Sequence, residues 1–150
     1  MDNFSKSPLF DAYHRKRVFH DGIWFDSNWE VKVYDFLKAS GIQFEYSPKV
    51  TLPYKYDGKM FYYHPDFKVG DRMVEVKGDQ FFRINESTGQ EEMFNPYRDS
   101  DWSDERYDWE CGKFEAKHQC MLKHDVHILR GVDIVNLEST FDRLGQSSAR

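Results

Sequence analysis

Residues 64–78 read His64-Pro65-Asp66-Phe67-Lys68-Val69-Gly70-Asp71-Arg72-Met73-Val74-Glu75-Val76-Lys77-Gly78, and this stretch decides the fold. Gly70-Asp71 has the composition of a two-residue turn, so the residues on either side of it predict a β-hairpin. In that register Asp66 lies opposite Glu75, and His64 lies opposite Lys77. Side-chain alternation then gives the hairpin one charged face and one apolar face, and the apolar face can pack against a helix.

The charged face of this hairpin carries Asp66, Glu75 and Lys77. Two carboxylates that face each other across a ladder, with Cβ atoms about 5 Å apart, repel each other. A Mg²⁺ or Mn²⁺ ion would relieve that repulsion, because both ions prefer hard oxygen ligands. Lys77 could then polarise an attacking water or steady developing negative charge. The residues alone leave open a second interpretation, a solvated hairpin face with an ordinary Glu–Lys pattern.

A helix is predicted upstream, where the chain reads Phe25-Asp26-Ser27-Asn28-Trp29-Glu30. Ser27 and Glu30 have the spacing of a capping box, and apolar residues recur after them at helical intervals. Gly41 is a plausible end for this helix, since glycine readily takes the left-handed cap conformation. Glu30 therefore has two possible roles, a helix cap or a third carboxylate directed at the same metal.

The rest of the chain predicts a single α/β domain over residues 1–150, with a mixed sheet flanked by helices. The expected order is helix, three to four strands, helix, strand and helix. Its later elements are a helix over Lys113–His124, a strand over Val126–Leu129 and a helix over Val132–Leu144. No apolar stretch is long enough to span a membrane, and two cysteines cannot staple a secreted scaffold. These features favour a soluble protein of a reducing cytoplasm.

Acidic residues are concentrated in one segment. The chain has a net charge of −5, but residues 86–110 alone carry −7 and the remainder carries +2. We therefore expect a long acidic insert at about 79–112 on a scaffold that is open to a polyanion. The insert could act as a gate or bystander, could grip unpaired bases with its aromatic residues, or could pack as core.

The order of these motifs resembles the PD-(D/E)XK nuclease superfamily. The resemblance rests on Pro65-Asp66, on Glu75-Val76-Lys77-Gly78 one hairpin later, and on Glu30 in an upstream helix. The run from Phe25 to Gly78 is similar to the small phage junction-resolving endonucleases of the endonuclease I type. The N-terminal segment and the acidic insert have no counterpart there.

This resemblance implies a restriction-endonuclease-like fold and a metal-dependent endonuclease that uses Mg²⁺ or Mn²⁺ on DNA. Asp66 and Glu75 would be metal ligands, the Val76 carbonyl would complete the site, and Lys77 would be the catalytic lysine. Glu30 would bind or orient a second metal. The resemblance favours branched or Holliday-junction DNA as substrate, and it leaves room for a homodimer and for the cytoplasm of a phage host.

Other readings of the sequence stay open beside this one. Six basic residues could contact DNA or could be solvated surface charge: Arg15, Lys16, Arg17, His64, Lys113 and Lys117. Four further residues invite a zinc interpretation, although their spacing fits no standard finger and ordinary helix residues are favoured: Cys111, His118, Cys120 and His124. The chain could also be a duplex or single-strand nicking nuclease. A rival class is a non-cleaving nuclease-fold module that binds protein, or a DNA mimic with an acidic insert.

Overall fold

The computed structural model describes residues 17–148, with side chains up to residue 145, and it has a mixed α/β architecture. Arg15 and Lys16 therefore lie outside the described residues. Within them the strands are β1 Val18–His20, β2 Ile23–Phe25, β3 Phe44–Tyr46, β4 Leu52–Tyr56, β5 Lys59–Tyr63, β6 Phe67–Val69, β7 Arg72–Val76, β8 Phe82–Ile84, β9 Glu91–Met93 and β10 His127–Leu129. The helices are α1 Asn28–Ala39, α2 Asp104–Lys123, α3 Gly131–Ile134 and α4 Leu137–Ser148, and a 3-10 turn covers Asp79–Phe81.

A four-stranded mixed sheet in the order β10-β7-β6-β3 forms the centre of the fold. The hairpin β6–β7 has the predicted register, since Phe67 pairs with Val74 and Val69 pairs with Arg72. Strand β3 runs antiparallel to β6, whereas β10 runs parallel to β7. A parallel neighbour needs a crossover connection, and α2 lies within it. The predicted mixed sheet flanked by helices is confirmed.

Helix α1 packs on the apolar face of this sheet. Its Val33 and Leu37 are fully buried with Phe67 and Val74, in the cluster that also holds Phe25. The helix begins after Ser27, whose Oγ accepts a hydrogen bond from the Glu30 backbone amide, as the capping motif predicts. Gly41 follows the helix with φ at +69°, the left-handed conformation expected there.

The hairpin β4–β5 forms a separate two-stranded sheet that packs against α2. Tyr63 of β5 is buried in a second cluster with Cys120, Met121 and Val126. Helix α2 and strand β4 come close together at Gly112, where a Cβ atom would stand 2.2 Å from the Tyr56 hydroxyl. A glycine in mid-helix is otherwise unfavourable, so this contact accounts for it.

The structure corrects the predicted boundaries in the second half of the chain. Helix α2 begins at Asp104 instead of Lys113, with Ser103 as its N-cap. Asp104 and Glu105 lie in its first turn, where their charges interact favourably with the positive end of the helix dipole. This interaction accounts for part of the negative charge of the insert. The insert also contains the hairpin β8–β9, so it is not one long loop. The helix expected over Val132–Leu144 is two helices, α3 and α4.

The hairpin β1–β2 before α1 was not predicted from the sequence. It turns at Asp21-Gly22, both with positive φ, and its strands are only three residues long. No helix in the described part of the chain combines the length and the hydropathy that a membrane crossing requires.

Candidate active site

One cavity of about 570 Å³ collects the predicted site residues. It opens where the N-terminus of α1, the start of β6, the end of β7 and the middle of α2 meet. Four acidic residues line it, Asp26, Glu30, Asp66 and Glu75, and so do two lysines, Lys77 and Lys117. Side-chain alternation along β7 directs Glu75 and Lys77 to one face of the sheet while Val74 enters the core behind them.

Glu75 is held in place by partners on both of its oxygens. The side chain is 5% exposed, and its Oε1 accepts a 2.6 Å hydrogen bond from the Tyr63 hydroxyl. Its Oε2 lies 3.3 Å from Nζ of Lys77, which is 8% exposed. The Lys77 ammonium also stands 4.6 Å above the ring of Phe81. The charged face of the hairpin is therefore buried, and the solvated alternative is wrong.

Asp66 lies just before β6 and is tied to the end of β7. Its Oδ2 accepts a 2.8 Å hydrogen bond from the Val76 backbone amide, and its own carbonyl accepts one from Ser47. The ladder between β6 and β7 ends at the pair Phe67–Val74, so Asp66 and Glu75 are the next residues beyond that ladder and are not paired within it. The same holds for His64, which is exposed and lines the cavity but is not paired with Lys77 in the ladder.

Glu30 takes part in the helix cap and also lies in the cavity wall. Its backbone amide donates to Ser27 Oγ at 3.2 Å, and its Oε1 accepts from the Asp26 amide at 3.1 Å and from the Tyr46 hydroxyl at 2.6 Å. The side chain is nevertheless part of the cavity wall and only 4% exposed. The helix cap therefore fixes a third carboxylate beside the other two.

Two carboxyl groups of the cavity, those of Asp66 and Glu30, have raised pKa values. Burial raises the pKa of Asp66 well above its usual value, and the charges of Glu75 and Glu30 raise it further. The pKa of Glu30 is also raised, chiefly by burial and also by the charges of Asp26 and Glu75. Burial and the carboxylate of Glu30 together raise the pKa of the Tyr46 hydroxyl. Ionisation of Asp66 and Glu30 therefore costs free energy in this cavity, and a bound cation would lower that cost.

The donor set of the cavity fits a hard divalent cation. Asp66, Glu75 and Glu30 offer carboxylate oxygens, the ligands that Mg²⁺ and Mn²⁺ take together with water and phosphate. Over residues 17–148, no group of three or more His, Cys, Asp or Glu side chains is arranged to hold a metal by itself. A cation here would therefore need oxygen ligands from outside the side chains, such as water, phosphate or the Val76 carbonyl.

Among the predicted DNA-contacting residues that the structure describes, three line the cavity and one does not. Lys117 lines the cavity, and burial together with the charge of Lys77 lowers its pKa. His64 and Arg17 also line it, and Arg17 is paired with Asp26 at 3.4 Å. Lys113, one turn before Lys117, instead lies 4.3 Å over the ring of Phe61.

Two tyrosines and part of the insert belong to the site but were missed from the sequence. Tyr63 orients Glu75, Tyr46 orients Glu30, and Phe81 covers Lys77. The alternation Phe61, Tyr63 in a strand that ends just before His64-Pro65-Asp66 was the available signal for Tyr63. Tyr97 also lines the cavity, so two aromatic residues of the insert, Phe81 and Tyr97, reach the site.

The zinc interpretation finds no support among the described residues. Cys111 and Cys120 form no disulfide, and neither belongs to a metal-binding group.

Comparison of the chain with protein-family models, with curated proteins and with solved structures gave no match.

Proposed function

We propose that this protein is a metal-dependent endonuclease that hydrolyses DNA phosphodiester bonds. The observation that carries the proposal is the cavity in which Glu30, Asp66 and Glu75 lie beside Lys77 and Lys117. Acids with raised pKa values that share one cavity with cations are a frequent signature of a catalytic site. The same five residues would be an expensive way to build a structural core.

In this proposal Asp66 and Glu75 hold a Mg²⁺ or Mn²⁺ ion, with the Val76 carbonyl as a further ligand. When bound, such an ion activates water and withdraws negative charge from a phosphate. Glu30, fixed by its cap bonds, orients the same ion or a second one. Tyr63 keeps the Glu75 carboxylate turned toward the cavity by occupying its Oε1.

The two lysines act on the phosphate. Lys77 stands at the end of β7 beside Glu75, where its ammonium stabilises the charge that develops on the phosphate oxygens in the transition state. Lys117 enters from α2 and neutralises a non-bridging phosphate oxygen of the bound strand. Both ammonium groups are largely desolvated, which strengthens their interaction with an anion.

The finer features of the proposal follow from the order of elements and the resemblance. The succession α1, β3, β6–β7, α2 and β10 is compatible with a restriction-endonuclease-like core, and it supports that assignment within the α/β class. Branched or junction DNA is the substrate we favour, cut by a homodimer in the cytoplasm of a host cell.

Cleavage of a panel of substrates tests the proposal. The full chain is incubated with a supercoiled plasmid, a blunt duplex and a four-way junction, each with Mg²⁺, with Mn²⁺ or with EDTA. We expect divalent-dependent products, most rapidly from the junction, and none from Asp66→Asn or Glu75→Gln. The absence of divalent-dependent products from every substrate would contradict the proposal. That result would favour a non-cleaving module.

A further inference from the structure

The hairpin β1–β2 exposes a pair of large aromatic side chains. Phe19 and Trp24 are cross-strand partners, and their ring centroids are 5.0 Å apart. They are 60% and 55% exposed, respectively. The opposite face of the same hairpin packs into the core through Ile23 and Phe25. Core packing therefore explains one face of the hairpin and leaves the aromatic face unexplained.

The aromatic face is continuous with the candidate active site. Alternation along the strands places Arg17 on the same face as Phe19, and Asp26 on the same face as Trp24. Both Arg17 and Asp26 line the cavity. The Arg17 guanidinium carbon lies 5.9 Å from the Trp24 ring centroid, so this arginine connects the exposed rings to the cavity wall. The sequence directly before it is Arg15-Lys16, which adds positive charge at this end of the chain.

We propose that Phe19 and Trp24 form a stacking surface for unpaired bases of the DNA substrate. Each ring can stack on a base without sequence preference. Nε of Arg17 faces Asp26 at 3.4 Å, and the other N–H groups of its guanidinium can donate to the phosphate between the stacked base and the cavity. The combination of exposed rings with a cation at the cavity edge matches a nucleotide strand, which alternates bases with phosphates. This inference rests on the proposed function and names its substrate class, DNA with a single-stranded portion.

Binding of two matched probes tests the surface. One probe is a blunt duplex and the other is the same duplex with an oligothymidine flap, and both are fluorescein-labelled. Anisotropy is measured with Ca²⁺ in place of Mg²⁺, and gels check that the probes stay intact. The variants are Phe19→Ala/Trp24→Ala, Trp24→Phe and, as control, Tyr62→Ala. Tyr62 is 58% exposed on β5 and is not part of the cavity wall.

We expect wild type to bind the flap probe about tenfold more tightly than the duplex, and the double variant to lose that preference while keeping its duplex affinity. Trp24→Phe should keep most of the preference, and Tyr62→Ala all of it. A double variant that retains the preference for the flap probe, or that loses affinity for both probes equally, would contradict the proposed stacking surface. So would a shift of the double variant to a smaller oligomer, since the rings would then join two copies.

The same preparations separate this inference from the proposed function. Cleavage of the blunt duplex with Mg²⁺ should be unchanged in the double variant, because neither ring touches the acidic residues. Normal cleavage without flap preference in wild type would reject the stacking surface alone. Flap preference without any divalent-dependent cleavage would reject the nuclease proposal and leave the binding surface standing.

Discussion

The Tyr63 hydroxyl donates a 2.6 Å hydrogen bond to Oε1 of Glu75, and both side chains are buried. Tyr63 belongs to the β4–β5 hairpin and Glu75 to the central sheet, so this bond joins the two sheets at the cavity. It also fixes the rotation of the carboxylate, since the other oxygen faces Lys77. The position of Glu75 therefore depends on a residue outside the sheet that carries it.

Tyr63→Phe should raise the Mg²⁺ concentration needed for half-maximal cleavage about tenfold or more. The variant lacks the hydroxyl that orients the Glu75 carboxylate, which is a metal ligand in the proposed function. The aromatic ring stays in the core, so the free energy of unfolding should fall by only about 1 kcal/mol. Single-turnover cleavage at increasing Mg²⁺ measures the first effect and urea denaturation the second. Tyr62→Phe, next to it but exposed, is the control. An unchanged Mg²⁺ dependence in Tyr63→Phe would show that Glu75 does not need this bond.

Lys77→Met should lower the single-turnover cleavage rate by about 100-fold or more, since a charge that stabilises the transition state is removed. DNA affinity should change little, because the lost ammonium acts on charge that develops only in the transition state. Rapid-quench kinetics and anisotropy separate the two quantities. A variant that cuts at the wild-type rate would remove Lys77 from the mechanism.

Lys117→Met should weaken DNA binding and lower the slope of log K against log salt concentration by about 1, as expected for one lost phosphate contact. Lys113→Met is the matched control, because its ammonium lies on Phe61 and it is not part of the cavity wall. Titrations over a range of salt concentrations give both slopes. Equal slopes for the two variants would contradict the placement of Lys117 at the phosphate.

Glu30→Gln should preserve the fold and reduce cleavage. The glutamine Oε1 can still accept hydrogen bonds from the Asp26 amide and the Tyr46 hydroxyl, so the melting temperature should stay within about 2 °C of wild type. An amide is a poorer metal ligand than a carboxylate, so more Mg²⁺ should be needed for half-maximal activity. A large loss of stability with normal activity would assign Glu30 to the cap alone.

Two buried acids should stabilise the metal-free protein as the pH falls, and a comparison with Asp66→Asn separates their effect from the opposite one of His118 and His127, whose pKa values are lowered by burial. The pKa values of Asp66 and Glu30 are raised in the folded state, so folding favours their protonated forms. That contribution to stability is full below their unfolded pKa values and is lost as the pH rises through the folded ones. Asp66→Asn removes one of these groups, and its amide oxygen can still accept from the Val76 amide.

Melting in EDTA between about pH 5 and 8 measures this linkage. We expect Asp66→Asn to gain stability over wild type at the alkaline end and to approach wild type at the acidic end. Addition of Mg²⁺ should remove much of the difference, because the cation compensates the ionised acids of wild type. A constant difference between the two proteins across the pH range would contradict the raised pKa of Asp66.

Local chemistry explains which elements could be predicted from the sequence. The turn Gly70-Asp71 and the cap Ser27–Glu30 are short motifs whose geometry depends on neighbouring residues alone, and both are confirmed. The start of α2 was not predicted, because its many acidic residues interrupt the helical periodicity of apolar residues. The local signal was Ser103, which caps the helix by accepting a hydrogen bond from the Arg106 amide.

The composition of the site shows the same division between local and tertiary information. Asp66, Glu75 and Lys77 come from one hairpin, so strand alternation could group them. Lys117 reaches the cavity only through the packing of α2, and Tyr63 reaches Glu75 only through the packing of β5. No periodicity within either segment specifies that arrangement. Burial of Glu75 and Lys77 likewise depends on what covers the hairpin, which the hairpin's own sequence does not contain.

The order in which the ribosome makes the chain matters for one hydrogen bond at the site. The backbone amide of Lys77 donates to the carbonyl of Leu129 at 2.8 Å, a bond that forms only when β10 docks beside β7. A nascent chain already carries the three acids when the strand that anchors Lys77 has yet to emerge. Under the proposed function, full cutting activity would be acquired only after β10 has docked, and a chain truncated before β10 should cleave DNA more slowly.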